Sequence, residues 1–95
     1  VIHAAGIIRD NFLTRKPAEE FSAVMAAKIA GVVNLDAATA DLDLDVFLLM
    51  SALAGVFGNP GQGDYAVGNA FLDRFAEQRR VLENHGLLMG HSLSI

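Results

Sequence analysis

Cysteine and tryptophan are absent from this chain of 95 residues, proline occurs twice, and lysine and arginine together number seven. Without cysteine there is neither a disulfide framework nor a thiolate metal site, and the redox compartment is left open. The basic residues are scattered and the net charge is −4, so there is no electrostatic footprint for nucleic acid or an anionic membrane surface. No uninterrupted apolar run approaches the roughly 18 residues of a membrane span, and no basic-then-apolar leader opens the chain. A soluble, cytoplasmic protein with no nucleic-acid and no membrane partner is expected. Three chemical signatures are also missing: the G-x-x-x-x-G-K-[ST] phosphate loop, the H-E-x-x-H zinc pair and the G-x-S-x-G serine elbow.

Apolar residues, by contrast, make up 53% of the chain, above the roughly 45–50% of ordinary domains. A chain this short buries only about 60–65% of its unfolded surface. The excess implies apolar faces that meet further protein, as in a piece of a larger domain. Strand-like "VIHAAG" at the start and "HSLSI" at the end agree with that reading.

The apolar pattern alternates between two kinds of segment. "VIHAA" is a short apolar run closed by Gly6, a strand opening into the loop "GIIRDNFLTRK". Pro17 in the first turn, followed by Glu19 and Glu20 at the positive end of the dipole, starts a helix predicted over 18–42. Its stripe of Phe21, Val24, Met25, Ile29, Val32 and Val33 is wide enough to pack on a sheet. "DVFLLMS" is too short for a helix and lacks alternation, so it reads as a central parallel strand. A second helix is predicted over 64–84, with Val67, Phe71 and Phe75 on its stripe, basic residues in its last turns and "HG" at its end. "LSI" supplies a last strand. The class is α/β: a β-α-β-α-β fragment of a Rossmann-like parallel sheet with helices on both faces, its missing strands lying N-terminal to Val1.

"GQGDYA", Gly61 to Ala66, formally matches the dinucleotide fingerprint, but the first glycine of that motif must directly follow its strand. Here about ten residues intervene, and the acid that should close a second strand falls instead on Glu83, at a helix end. Tyr65 and Asn69, four apart, share one helix face. Alone they read as a half-buried tyrosine and a surface asparagine. Their place in the first turn of a helix facing strand carboxyl ends, where open α/β sheets bind ligands, makes a proton-donating phenol the stronger reading. Lys28 sits among small and apolar neighbours, as a snorkelling lysine or as a cation within reach of Tyr65. "DLDLD", Asp41 to Asp45, fits a solvated turn better than a metal site, and His3 a core histidine with a satisfied ring better than a catalyst.

"VIHAAGIIRDNF", "MAAKIAGVVNL", "FLLMSALAGVFGNPGQGDYAVGNAFLDRFAEQRR" and "SLSI", in this order and spacing, resemble the ketoreductase domain of modular type I polyketide synthases, a branch of the short-chain dehydrogenase/reductase superfamily. The resemblance implies that residues 1–95 are the C-terminal part of a catalytic Rossmann domain whose glycine-rich cofactor motif lies upstream of residue 1. It implies NADPH-dependent reduction of a β-ketoacyl thioester carried by an acyl carrier protein, among neighbouring synthase domains. Tyr65 would be the general acid, Lys28 would assist it and hold the nicotinamide ribose, and Asn69 would support the lysine and the proton path. Ala4, Ala5 and Gly6 would line the ribose side of the cofactor. The family's serine, thirteen positions before the tyrosine, is replaced here by Ala52. Ser51 precedes it on the opposite face and cannot simply take over. Asp10, with Gln62, falls in the stereocontrol elements; the tryptophan of the opposite subtype is replaced by Phe57, so the D-hydroxyl product is favoured. The alternative is a catalytically silent scaffold domain, motivated by Ala52.

Overall fold

The computed structural model describes every residue from Val1 to Ile95. Strands β1 (Ile2–His3), β2 (Val46–Leu49) and β3 (His91–Ser94) form one parallel sheet in that spatial order. Ile2 and His3 pair with Leu48 and Leu49, and Val46 to Leu49 pair with His91 to Ser94. Strand side chains alternate between faces, and this register puts His3, Phe47, Leu49 and Ser92 on one side, all buried. Ile2, Val46 and Leu93 line the other and are exposed.

Both crossovers step in the same direction along the sheet, so right-handed connections place both long helices on one face. The helices do pack on each other there. Within this chain the α/β class and the parallel order are as expected, and helices cover one of the two faces. The molecule is accordingly thin, 45 × 24 × 16 Å.

Helix α1 runs from Ala18 to Ala38, with Pro17 at its N-cap and Glu19 and Glu20 in its first turn. It stops short of the predicted Leu42 because the Thr39 hydroxyl bonds back to the Leu35 carbonyl at 2.8 Å and the chain turns. Ala26–Ala30 form a π-helical turn inside it. The wider turn keeps residues four apart in line, so Val24, Lys28 and Val32 are buried together while Val33, expected on the stripe, is exposed. By length and composition α1 is apolar enough to cross a membrane, which a survey of uninterrupted runs does not reveal. In this fold its buried residues face the sheet and the second long helix.

A short helix, α2 (Ala54–Phe57), and a 3₁₀ turn at Leu13–Arg15 occupy segments read as loop. Helix α3 spans Gly63–Asn84. Its buried row is Asp64, Gly68, Asn69, Leu72, Ala76 and Arg79, not the predicted stripe: Val67 is exposed, and Phe71 and Phe75 stack at the flank with centroids 5.9 Å apart. The row that faces the sheet is partly polar, and hydropathy periodicity therefore points to its neighbours. Arg79 also departs from a role at the helix end. Its Nε donates to Ser92 Oγ at 2.8 Å, its guanidinium pairs with Asp36, and it lies 4.0 Å over the Phe47 ring. Val32, Phe47, Leu49, Leu72 and Ala76 form the core beside it.

Gly90 lets β3 begin. Its φ of +83° is left-handed, and a Cβ there would lie 2.0 Å from the Leu44 carbonyl oxygen. Gly58, with φ +71°, meets nothing within 4 Å. Gly90→Ala therefore carries a backbone clash in addition to the roughly 1–3 kcal/mol of left-handed strain that Gly58→Ala carries alone. Thermal melts are expected to show the larger loss for Gly90→Ala; equal losses contradict the clash.

Candidate active site

Lys28 leaves the π-helical turn of α1 and runs along the inner face of the fold. Its stem passes between two glycines: a Cβ on Gly68 would sit 3.2 Å from Lys28 Cβ, and one on Gly6 would sit 3.4 Å from Lys28 Cε. A side chain at Gly68 would press on the stem, whereas one at Gly6 would only touch its end. The ammonium donates to the Met50 carbonyl at 2.6 Å, at the end of β2, and lies 5.8 Å from the centroid of the Tyr65 ring. The residue is 4% exposed. Desolvation holds this lysine below its ordinary 10.5, because burial penalises the charged form.

Tyr65 is half-buried in the first turn of α3. Asn69, one turn on, is fully buried, and its amide nitrogen donates to the Tyr65 carbonyl at 2.8 Å. Its Oδ1 is buried with no hydrogen-bond partner. Ser51, after β2, donates its hydroxyl to the Asn69 carbonyl at 3.2 Å. Ala52 turns instead toward a cleft of about 450 Å³ that it shares with Leu53, Phe57, Gln62 and Tyr65. The hydroxyl that the chain has is thus spent on α3, and a methyl group faces the cleft.

The loop after β1 closes over the start of α3. Ala4, Ala5 and Gly6 are exposed where β1 ends, with Gly6 against the end of Lys28. Gln62 Nε2 donates to both Asp10 oxygens at 3.2 Å, and Asn59 donates to Gln62 Oε1 at 2.8 Å. The Asn11 amide donates to the Gly61 carbonyl at 2.9 Å, so Gly61 is engaged with this loop, beyond α2 from its strand. Beneath lies an ion pair that sequence reasoning did not find: Lys16 Nζ is 3.0 Å from Asp64 Oδ2, each side chain 1% exposed. Lys16 also donates to the Arg9 carbonyl, and Asp64 Oδ1 accepts the Tyr65 amide at 2.8 Å. Nothing local in the sequence signals a pair made by two segments so far apart.

The structure therefore brings Lys28, Tyr65, Asn69, Ala52 and Gly6 to the carboxyl ends of β1 and β2, with Asp10 and Gln62 at the rim. A buried ammonium, a phenol and an orphaned amide oxygen beside a backbone cleared by glycine suit a polar, hydroxyl-bearing ligand.

The profile of one protein family, described as KR domain, matches residues 1–93. The chain is 45% identical over its full length to polyketide synthase PksL of Bacillus subtilis and 47% identical over its full length to polyketide synthase ThaG of Burkholderia thailandensis. It spans about 2% of the length of each. Among solved structures, a ketoreductase domain from the bacillaene assembly line superposes with a TM-score of 0.93 at 41% identity, over 98% of this chain and 22% of that one. The first ketoreductase of the tylosin synthase does so with a TM-score of 0.87 at 39% identity, over 98% of this chain and 19% of that one.

Two measurements check this geometry. Lys16→Met leaves Asp64 buried without its countercharge and is expected to cost about 3–5 kcal/mol in denaturant unfolding, with Lys16→Met/Asp64→Asn recovering much of it. For Lys28 the sign is opposite. A lysine whose folded pKa is depressed weakens the fold below that value, and the penalty fades as pH rises toward 10.5. Lys28→Met is therefore expected to melt at or above the wild type at neutral pH, the gap narrowing at alkaline pH; a gap that widens refutes the burial argument.

Proposed function

We propose, from the premise that this chain belongs to the KR domain family of polyketide synthases, that its site takes part in NADPH-dependent reduction of a β-ketoacyl thioester on an acyl carrier protein. The observation that carries this reading is the meeting of the Lys28 ammonium and the Tyr65 ring, 5.8 Å apart, at the carboxyl ends of parallel strands. NADPH, when bound, supplies the hydride. Lys28 and Tyr65 would hold its ribose, with Ala4, Ala5 and Gly6 as the backbone wall; the orphaned Asn69 Oδ1 and the buried Lys28 ammonium fit such a polar group.

The chain's own residues then handle the proton. The Tyr65 hydroxyl donates to the ketone oxygen as negative charge develops there, forming the β-hydroxyl. The Lys28 ammonium, poorly solvated and anchored on the Met50 carbonyl, stabilises the phenolate left behind. Asn69 fixes the first turn of α3 through the Tyr65 carbonyl and so aims the phenol. Asp10 and Gln62, bonded to each other at the rim, would border the acyl chain, and the D-hydroxyl product is the one that the resemblance implies. The polyketide setting supplies neighbouring synthase domains and the carrier protein.

Ala52 favours a second reading, a silent domain kept for its shape. Loss of one oxyanion donor costs on the order of 10²–10³ in rate where it has been measured in another enzyme class. Reduction of a β-ketoacyl thioester, followed by NADPH consumption, separates the two. Slow turnover that Ala52→Ser raises and Tyr65→Phe abolishes is the expected result. No turnover by the wild type and none by Ala52→Ser leaves only the scaffold.

A further inference from the structure

His3 is buried on β1, one strand away from the anchor of Lys28, and has no part in the chemistry above. Its Nε2 lies 3.3 Å from the backbone carbonyl of Lys28. A carbonyl oxygen only accepts, so Nε2 carries the proton and donates. That carbonyl lies within the π-helical turn Ala26–Ala30, where the Gly31 amide is shared between the Ala26 and Lys28 oxygens. The α-helical ladder is thus broken at the residue whose side chain enters the site, and the ring of His3 completes it. Gly31 makes the approach possible: a Cβ there would lie 2.9 Å from His3 Cε1 and 3.3 Å from Nε2.

Three features converge on one backbone group: the widened turn, the imidazole bond and the clearance at Gly31. A π turn inserted in an α-helix strains its hydrogen bonding and tends to persist where function requires it. Here it keeps Lys28 in line with Val24 and Val32 on the buried side. We infer that His3 and Gly31 form a lock that holds the π-helical turn of α1 and thereby aims Lys28 at the Met50 carbonyl and Tyr65. His3 is a positioning residue in this scheme, acting through Lys28. The part that concerns turnover rests on the ketoreductase reading; the part that concerns the turn does not.

The test uses the intact protein that carries this chain, with His3→Leu, which fills the space but donates nothing, and His3→Gln, which restores a donor near Nε2. Amide exchange without ligand is expected to quicken about tenfold or more at Ala26 to Gly31 in His3→Leu, with α3 and β2 unchanged, and to return toward the wild type in His3→Gln. Turnover is expected to fall about 10–100-fold in His3→Leu with substrate KM within about threefold, since a misplaced group costs rate before affinity. Gly31→Ala is expected to reproduce the exchange signature, and Gly31→Ala/His3→Ala to be no worse than His3→Ala alone, because the two act through one contact. Unchanged exchange at Ala26 to Gly31 in His3→Leu, or additive losses in the double variant, overturns the lock. Because exchange needs no turnover, it decides the lock even if the wild type reduces nothing.

Discussion

The buried ammonium of Lys28 organises the inner face of this fold. To bring Lys28 from α1 to the end of β2, the structure must remove a charge from water, and it compensates with one strong acceptor, the Met50 carbonyl at 2.6 Å. It must also make room for a four-carbon stem, which favours glycine at 68, where a Cβ would lie 3.2 Å from Lys28 Cβ. The helix itself is altered to suit: the π-helical turn at Ala26–Ala30 sits where the lysine leaves the backbone. Each of these is a local cost, and together they put a cation beside Tyr65. Stability is given up at this point, as sites commonly require, and the apolar cluster around Phe47 and Leu72 offsets it on the same face of the sheet.

The loop after β1 is the second organising element. It meets the start of α3 at three levels: the Asn11 amide on the Gly61 carbonyl, Gln62 on Asp10, and the Lys16–Asp64 pair beneath. The deepest of these touches Tyr65 directly, since Asp64 accepts the Tyr65 amide. The loop after β1 and Tyr65 are therefore parts of one connected network. A shift of either is felt by the other, because a buried ion pair permits little slack.

Much of this was legible in the sequence, and the exceptions share a cause. Short apolar runs such as "DVFLLMS" and the three- and four-residue spacing of α1 are local signals, and they marked strands and helices in the right order. Spacing marked Tyr65 and Asn69 as neighbours on one helix face and left Lys28 open between a snorkelling lysine and a cation near Tyr65; their grouping as a site came from the resemblance to the ketoreductase family. What was hidden is buried polarity. Arg79, Asp64 and Lys16 carry no local signal of burial, yet they are enclosed by partners from distant segments. The inner row of α3 was misplaced because Gly68 and Asn69 mute the hydropathy pattern on the side that faces the sheet. The π-helical turn escaped detection for a similar reason: the break is in the backbone, and its completing group, His3, lies on another element.

The pair Ser51–Ala52 shows how a fold can keep a hydroxyl and still lack it where it counts. Adjacent residues leaving a strand point in opposed directions, and the structure uses the difference: Ser51 bonds the Asn69 carbonyl, tying the end of β2 to α3, while Ala52 borders the cleft with Tyr65. Rotating the serine inward would break that tie. On the proposed reading, a hydroxyl facing this cleft would have to come from residue 52 itself. Lys28, Tyr65 and Asn69 do not depend on that change, since none of their bonds involves the methyl group of Ala52. The contacts around Lys28, Tyr65 and Asn69 thus stand without a hydroxyl at residue 52, and on the proposed reading the rate would rest on the Tyr65 phenol and the Lys28 charge alone.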